Sequence, residues 1–448
     1  MFRSEYLTDV FRKLKKTFSY QKEYIQSVNS FFASIDNYIS KDPRIEQLSI
    51  IERVVIPERI ITFRIPWADD KGKVHVNIGY RVQYNSAVGP YKGGIRFHSS
   101  VNESIIKFLG FEQTLKNALT GLPLGGGKGG ADFDPKGKSD LEIMRFCHSF
   151  MAELYRYIGP DVDVPAGDIG VGPREIGYLY GYYKKLTNEF TGAFTSKGIN
   201  YGGSLGRKEA TGYGLCYYTQ QMLEHFENTN FKDKRVIISG SGNVSIYAAE
   251  KVTELGAVVI AMSDSDGYIH SKNGLDIEHI KMLKEDDRER ISSYLEKYPD
   301  TVYEANSSNI WSVKCDIALP CATENELDID GARKLVANNV IAVSEGANMP
   351  TTAAAINYFL ENNILFGPCK AANAGGVATS AFEMSQNAIR LNWSFAEVDK
   401  KLHETMKNIF KLTMTTAEDL GYPKDLVSGA NVAGFKRVYE AMIAQGLI

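Results

Sequence analysis

From Ile60 onward the chain alternates apolar with polar residues: Phe63, Ile65 and Trp67, then, beyond Asp69-Asp-Lys-Gly72, Val74, Val76, Ile78, Tyr80, Val82 and Tyr84. Strand side chains point to opposite faces in turn, so this period of two around a turn predicts a β-hairpin. Residues 5 to 45 instead carry apolar positions at helical spacing, and the basic run Arg12-Lys-Leu-Lys-Lys16 reads as a solvated helix face. Stretches 102 to 119 and 140 to 157 are also helical. After about residue 200 the pattern becomes strand then helix: Arg235-Val-Ile-Ile-Ser239, helix 243 to 255, Ala257-Val-Val-Ile-Ala-Met262, then strands at 315 to 319, 340 to 343 and 363 to 366. Such alternation predicts a parallel sheet covered on both faces. A last helical segment covers about 430 to 445.

A chain of 448 residues exceeds what one core usually supports. The expected class is α/β with two domains, one α/β and N-terminal, the other Rossmann-like. A hydrophobic content of 44% and a charged content of 23% belong to an ordinary globular protein. A formal net charge of -3 gives no electrostatic case for nucleic acid or for an anionic membrane. No apolar run approaches the ~20 residues of a membrane span, and the N-terminus lacks the apolar core of a signal peptide. The five cysteines form no Cys-x-x-Cys pair and no cluster with histidine, so neither a metal site nor a disulfide framework is expected. These features predict a cytoplasmic protein whose partners are small molecules and copies of itself.

The candidate chemistry centres on Leu122-Pro-Leu-Gly-Gly-Gly-Lys-Gly-Gly-Ala-Asp-Phe-Asp-Pro135, where Lys128 stands within a run of five glycines. Glycine permits tight turns and close approach of backbone to a ligand, so the stretch reads as a bare loop aiming a reactive or anion-binding lysine. A nucleoside-triphosphate loop is excluded, because Leu122 and Gly129 stand where its first glycine and its Ser or Thr belong. A dinucleotide fingerprint is formed by Gly240-Ser-Gly-Asn-Val-Ser245, which closes a strand and opens a helix, with Ser245 in place of the third glycine.

Together with Tyr91-Lys-Gly-Gly-Ile-Arg96, Phe111-Glu-Gln-Thr-Leu-Lys-Asn-Ala-Leu119, Pro165-Ala-Gly-Asp-Ile-Gly-Val-Gly172 and Asn373-Ala-Gly-Gly-Val-Ala-Thr-Ser380, these motifs resemble the glutamate, leucine, phenylalanine and valine dehydrogenase family. The resemblance covers roughly residues 50 to 448, in the family's order. It implies a substrate-binding and oligomerisation domain over 1–200, a Rossmann-like dinucleotide domain over 201–424, and a C-terminal helix, 425–448, returning to the first domain. A homohexamer is implied in the same way.

By the same resemblance Lys128 polarises the reacting carbon's oxygen or water and Asp168 transfers protons. Lys92 with Ser380 holds a γ-carboxylate, and Lys116 with Gln113 an α-carboxylate. The bland readings are surface ion-pair lysines and a turn or cap aspartate. Leucine- and phenylalanine-type members place apolar residues where Lys92 and Ser380 stand here. The implied reaction is therefore reversible oxidative deamination of L-glutamate to 2-oxoglutarate and ammonium, against the alternative of a catalytically silent nucleotide-binding scaffold. Thr211, Gly240, Gly242, Asn243, Val244, Asn348 and Asn373 are the matched positions for the cofactor. In Ser263-Asp-Ser-Asp-Gly267, Asp264 would suit the ribose of NAD. Ser263 and Ser265, with Lys281, Lys284, Arg288 and Arg290 downstream, would suit a 2′-phosphate, so NADP is favoured and NAD is the alternative.

Overall fold

The computed structural model describes residues 2–447. The chain divides into two compact units, the first made of residues up to Leu205, Thr379–Phe395 and the stretch from Asn431 on, the second of Gly206–Ala378 and Ala396–Ala430. The helical N-terminal stretch is not continuous: Glu5–Thr17 and Lys22–Ile39 are separate helices. They break where Gln21 turns inward, donating to Glu103 at 2.7 Å and accepting from Lys107 at 3.1 Å.

The first unit holds a five-stranded sheet of β1 (Arg59–Ala68), β2 (Val74–Asn85), β3 (Tyr91–Phe97), β4 (Gly126–Ala131) and β5 (Asp163–Gly167), in the order β1-β2-β4-β3-β5. The hairpin β1–β2 forms as its alternation predicts, its turn held by Asp69 Oδ1, which accepts from the backbone of Lys71 and Lys73 at 2.9 Å each. β4 runs antiparallel to β2 and parallel to β3, and β5 is parallel to β3. One sheet face is apolar: Ile95, Phe97 and Ala131 pack with Phe146 and Phe150 of helix Asp140–Leu154. The other carries the helix Glu103–Leu119, started by Asn102, whose side chain accepts from the backbone of Ile105 at 2.9 Å.

The second unit is built on seven strands: β6 (Arg235–Ile238), β7 (Val258–Ser263), β8 (Tyr268–His270), β9 (Val302–Glu304), β10 (Ile317–Leu319), β11 (Ala342–Ser344) and β12 (Leu365–Gly367), ordered β12-β11-β10-β6-β7-β8-β9. The five from β12 to β7 are parallel. β8 and β9 depart from the expected parallel sheet and run antiparallel. Only four residues separate β7 from β8, and a parallel crossover needs a dozen or more. The Asp264–Gly267 turn, closed by Asp264 N donating to Gly267 O at 2.8 Å, therefore makes a hairpin.

The expected 201–424 domain is corrected at Thr379–Phe395, which belongs to the first unit. Glu383 there is fully buried and accepts from the backbone of Ser196 (3.0 Å) and Lys197 (3.3 Å) and from Lys197 Nζ (2.7 Å). Gln386 donates to Ser204, and Asn387 to the Gly202 carbonyl, at 2.8 Å each. The C-terminal helix Leu426–Gln445 passes from the second unit to the first after Ala430. Arg437 on it donates to the Ala118 and Gly121 carbonyls at 2.8 Å each, satisfying the end of helix 103–119.

Candidate active site

Lys128 lies in β4, a buried central strand, so the expectation of a tight-turning loop is corrected. None of Gly125, Gly126, Gly127, Gly129 or Gly130 has positive φ. What the run supplies is clearance. A Cβ on Gly126 would overlap Thr114 of helix 103–119, with the Thr114 Cα 2.6 Å away, and one on Gly129 would lie 3.1 Å from the buried Arg81 side chain of β2. A Cβ on Gly93, in β3, would overlap the Gly127 carbonyl.

The strand registers then decide which side chains meet. Ile95 lies beside Gly129, so Lys128 falls beside Gly94 and shares its sheet face with Lys92 and Arg96. Ile95 also pairs with Gly167, so the next step brings Arg96 beside Asp168. The contacts follow: Lys128 Nζ is 3.0 Å from Asp168 Oδ2, and Arg96 Nε donates to the same oxygen at 2.9 Å. Burial lowers the pKa of Lys128, and Arg96 works the same way, against the opposing pull of Asp168. Burial alone would raise the Asp168 carboxyl, but Lys128 and Arg96 outweigh it and hold the group below its ordinary range. The pair thus joins an ionised carboxylate to a lysine that gives up its proton more readily than a free one.

Lys92 is 1% exposed. Its carbonyl accepts from Asn117 at 3.0 Å, and Asn117 also donates to the Gly125 carbonyl and accepts from Gln113, at 2.6 Å each. The helix turn carrying Gln113 and Lys116 is thereby pinned to the backbone of Lys92. Ser380 is buried in helix Gly375–Ile389, one turn before the Glu383–Lys197 pair, and lies in the unit that holds Lys92. Arg96 escaped the sequence reading as a site residue. Its signal was parity, since positions 92 and 96 of one strand share a face.

In the second unit the chain leaves β6 toward both edges of the sheet, with β10 on one side and β7 on the other. Ligands of open α/β sheets bind outside the strand ends at such a switch point. Gly240 has φ +80°, and a Cβ there would lie 2.7 Å from Ser245 Oγ and 3.0 Å from Ala322 Cβ, on the loop after β10. Its N–H donates to Ser263 Oγ at 2.8 Å. Gly242 caps helix Asn243–Glu254, and nothing lies within 4 Å of where its Cβ would stand. That open helix start fits a pyrophosphate. Ser245, in the third-glycine position, is fully buried and donates to the Ser239 carbonyl at 2.8 Å.

Around this turn, Asn243 Nδ2 donates to the Lys208 carbonyl at 2.6 Å, and a Cβ on Gly346 would lie 3.1 Å from Val244 Cγ1. Thr211 opens helix Ala210–Glu227, its hydroxyl 2.6 Å from where a Gly376 Cβ would stand. Asn373 Nδ2 donates to Asn348 Oδ1 at 3.1 Å. The Asp264 carboxylate is turned inward, accepting from the backbone of Ile291 (2.8 Å) and Asp266 (3.0 Å) with Lys284 Nζ at 3.4 Å. Ser265 Oγ accepts from Arg290 at 2.7 Å. Of the four bases expected near this triplet, Lys284 and Arg290 reach it, whereas Lys281 pairs with Glu250 at 2.5 Å. Both members of the exposed Ser265–Arg290 pair are held by Asp266, which lies 3.1 Å from Arg290 Nε and accepts from Ser265 Oγ at 3.1 Å, so a 2′-phosphate here would take the place of the Asp266 carboxylate.

Among the described residues no group of His, Cys, Asp and Glu could hold a metal ion, and no helix is long and apolar enough to cross a membrane.

The family model for Glutamate/Leucine/Phenylalanine/Valine dehydrogenase matches residues 202–446, and that for the Glu/Leu/Phe/Val dehydrogenase dimerisation domain matches 57–185. The chain is 54% identical over 431 residues to an NAD-specific glutamate dehydrogenase of Bacteroides fragilis, covering 96% of each chain. It is 52% identical over 448 residues to an NADP-specific glutamate dehydrogenase of Helicobacter pylori, covering 99% of this chain and 100% of the relative. A glutamate dehydrogenase structure from Plasmodium falciparum superposes with a TM-score of 0.97 at 49% identity, over 99% of this chain and 95% of that one. With matched motifs, paired family models and near-full-length relatives in agreement, the chain belongs to the glutamate/leucine/phenylalanine/valine dehydrogenase family.

Proposed function

We propose that this chain catalyses the reversible oxidative deamination of L-glutamate to 2-oxoglutarate and ammonium, with NADP as the preferred dinucleotide and NAD as the alternative, working as a homohexamer in the cytoplasm. The observation that carries the reading is the shared oxygen of Asp168, held by Lys128 and Arg96 on a buried sheet face that also bears Lys92. A five-carbon diacid needs two cationic anchors and a separate group that moves protons. Lys92 with Ser380 takes the γ-carboxylate in this reading, and Lys116 with Gln113 the α-carboxylate. A lysine about 4 Å from a carboxylate gains on the order of 4 kcal/mol at an effective dielectric near 20, before desolvation.

The nicotinamide of the bound dinucleotide supplies the hydride acceptor. Gly240, Gly242, Asn243 and Val244 would cradle its pyrophosphate; Ser263, Asp264 and Ser265 its adenosine end; Thr211, Asn348 and Asn373 the remainder. Once the substrate is an iminium, neutral Lys128 takes a proton from the water that attacks its carbon. Asp168, 3.0 Å from the Lys128 ammonium so formed, relays that proton to the nitrogen of the resulting carbinolamine. The C–N bond then breaks and ammonia leaves as the carbinolamine hydroxyl gives its proton to the again neutral Lys128, forming the keto group. Burial lowers the lysine pKa toward the working range, where a general base is most effective.

The test follows nicotinamide absorbance with purified protein, 2-oxoglutarate, ammonium and NADPH, then repeats it with NADH and with branched keto acids. Oxidation of NADPH with 2-oxoglutarate, and little with the branched acids, is expected. No oxidation under conditions that support a control enzyme would favour the silent scaffold, and clearly tighter use of NADH would overturn the cofactor preference.

A further inference from the structure

The second unit keeps a buried carboxyl group that the mechanism does not use. Glu345 directly follows β11 and is 2% exposed. Among the described residues no cation acts on it: Oε1 accepts from Thr351 N at 3.2 Å and Oε2 from Cys369 N at 2.7 Å, the Thr351 and Cys369 side chains also favour the carboxylate, and its own N–H donates to the Gly367 carbonyl at 2.9 Å. Burial pushes the carboxyl up to about 7, against the opposing effect of these donors. A buried acid without a cation is costly, and an apolar residue could fill the same volume.

What the acid offers is two acceptor oxygens on one short side chain. Cys369 is the first residue of the single turn Cys369–Ala372, so its N–H has no partner within that turn. Thr351 closes the loop 346–350, which is irregular and has Met349 at φ +48°. Asn348 stands in that loop and Asn373 directly after the turn. They meet where Asn373 Nδ2 donates to the carbonyls of Gly346 (3.1 Å) and Ala347 (3.0 Å) and to Asn348 Oδ1 (3.1 Å).

We propose that Glu345 is a positioning residue of the dinucleotide site, its two oxygens latching the Asn348 loop to the turn that presents Asn373, so that both amides are set before the cofactor arrives. This rests on the reading that Asn348 and Asn373 face the cofactor.

The experiment uses the full-length enzyme with Glu345→Gln, Asn373→Ala and the double variant. Gln keeps the volume and offers one acceptor, so it removes a single latch bond while sparing the packing. Amide exchange without cofactor is expected to speed up in 346–351 and 369–373 of Glu345→Gln. The NADPH dissociation constant, from fluorescence titration, is expected to rise roughly three- to tenfold, the scale of one lost hydrogen bond. KM for 2-oxoglutarate stays unchanged. Because Glu345 acts through the two amides and Asn373→Ala removes one of them, the double variant should lose clearly less NADPH affinity than the product of the two single effects. Unchanged exchange, or single effects that multiply in the double variant, overturns the proposal. If Asn373→Ala itself leaves NADPH affinity unchanged, the cofactor reading of the amide pair fails and takes the positioning role with it; faster exchange in Glu345→Gln then shows that the latch was not at fault.

Discussion

Two cations converge on one oxygen of Asp168, and the consequence differs for each residue of the trio. Asp168→Asn keeps the size and one acceptor but removes the charge and the capacity to move protons. Turnover should fall by about 10²- to 10⁴-fold, the usual contribution of a positioned acid or base, while 2-oxoglutarate binding stays within a few fold. Steady-state kinetics beside calorimetric binding checks this, and near-normal kcat would remove Asp168 from catalysis. Arg96→Gln acts through its neighbours. Without the guanidinium a positive charge next to Lys128 is gone, so the ammonium form is favoured and the lysine pKa rises. The acid limb of the kcat profile should then move to higher pH. A limb that stays in place, or moves down, would show that Arg96 does not tune the lysine.

At the level of elements, the glycines of β4 make a graded prediction. Gly126→Ala drives a methyl into Thr114, whose Cα is backbone of a packed helix, whereas Gly127→Ala meets the Val82 carbonyl at 3.2 Å and the Tyr91 Cβ at 3.3 Å. Overpacking of the first kind costs about 1–3 kcal/mol or more, so Gly126→Ala should lower the melting temperature clearly more than Gly127→Ala. Equal losses in differential scanning would mean that clearance to helix 103–119 does not explain the run. The same strand marks what a sequence can disclose. The hairpin 60–84 and the strand-helix alternation after 200 were legible because burial imposes a period on apolar residues. β4 has almost no side chains to show a period, so the composition of a loop concealed a central strand. Lys92, Lys116, Lys128 and Asp168 were singled out by the family resemblance, and of these Lys128 and Asp168 meet at 3.0 Å. Arg96 and the Glu383–Lys197 pair were not, because both arise from pairings between segments distant in the chain. β8 was concealed differently: its Asp264–Gly267 turn was read as cofactor chemistry, and it is also the hairpin that reverses the sheet.

For the whole molecule, the residues assigned to substrate and to dinucleotide fall into different compact units, although the chain passes between the units four times. Lys92, Gln113, Lys116, Lys128, Asp168 and Ser380 belong to the first; Thr211, the 240–244 turn, the 263–265 triplet, Asn348 and Asn373 belong to the second. A ligand that binds only the folded form of its site stabilises it by about 2.7 kcal/mol at a hundredfold excess over its dissociation constant, and this suppresses the local openings through which amides exchange. The two ligands should therefore leave separable footprints. NADPH alone is expected to slow exchange in 238–246, 263–266, 345–351 and 369–376. 2-Oxoglutarate alone should slow it in 91–97, 113–117, 126–131 and 165–170, and also in 379–384, although that last segment follows directly on one protected by NADPH. The 379–384 peptides decide the matter, because a chain read only as consecutive domains would assign them to the dinucleotide. Protection of 379–384 by NADPH and not by 2-oxoglutarate would remove Ser380 from the γ-carboxylate and leave Lys92 as the anchor to be explained by another partner.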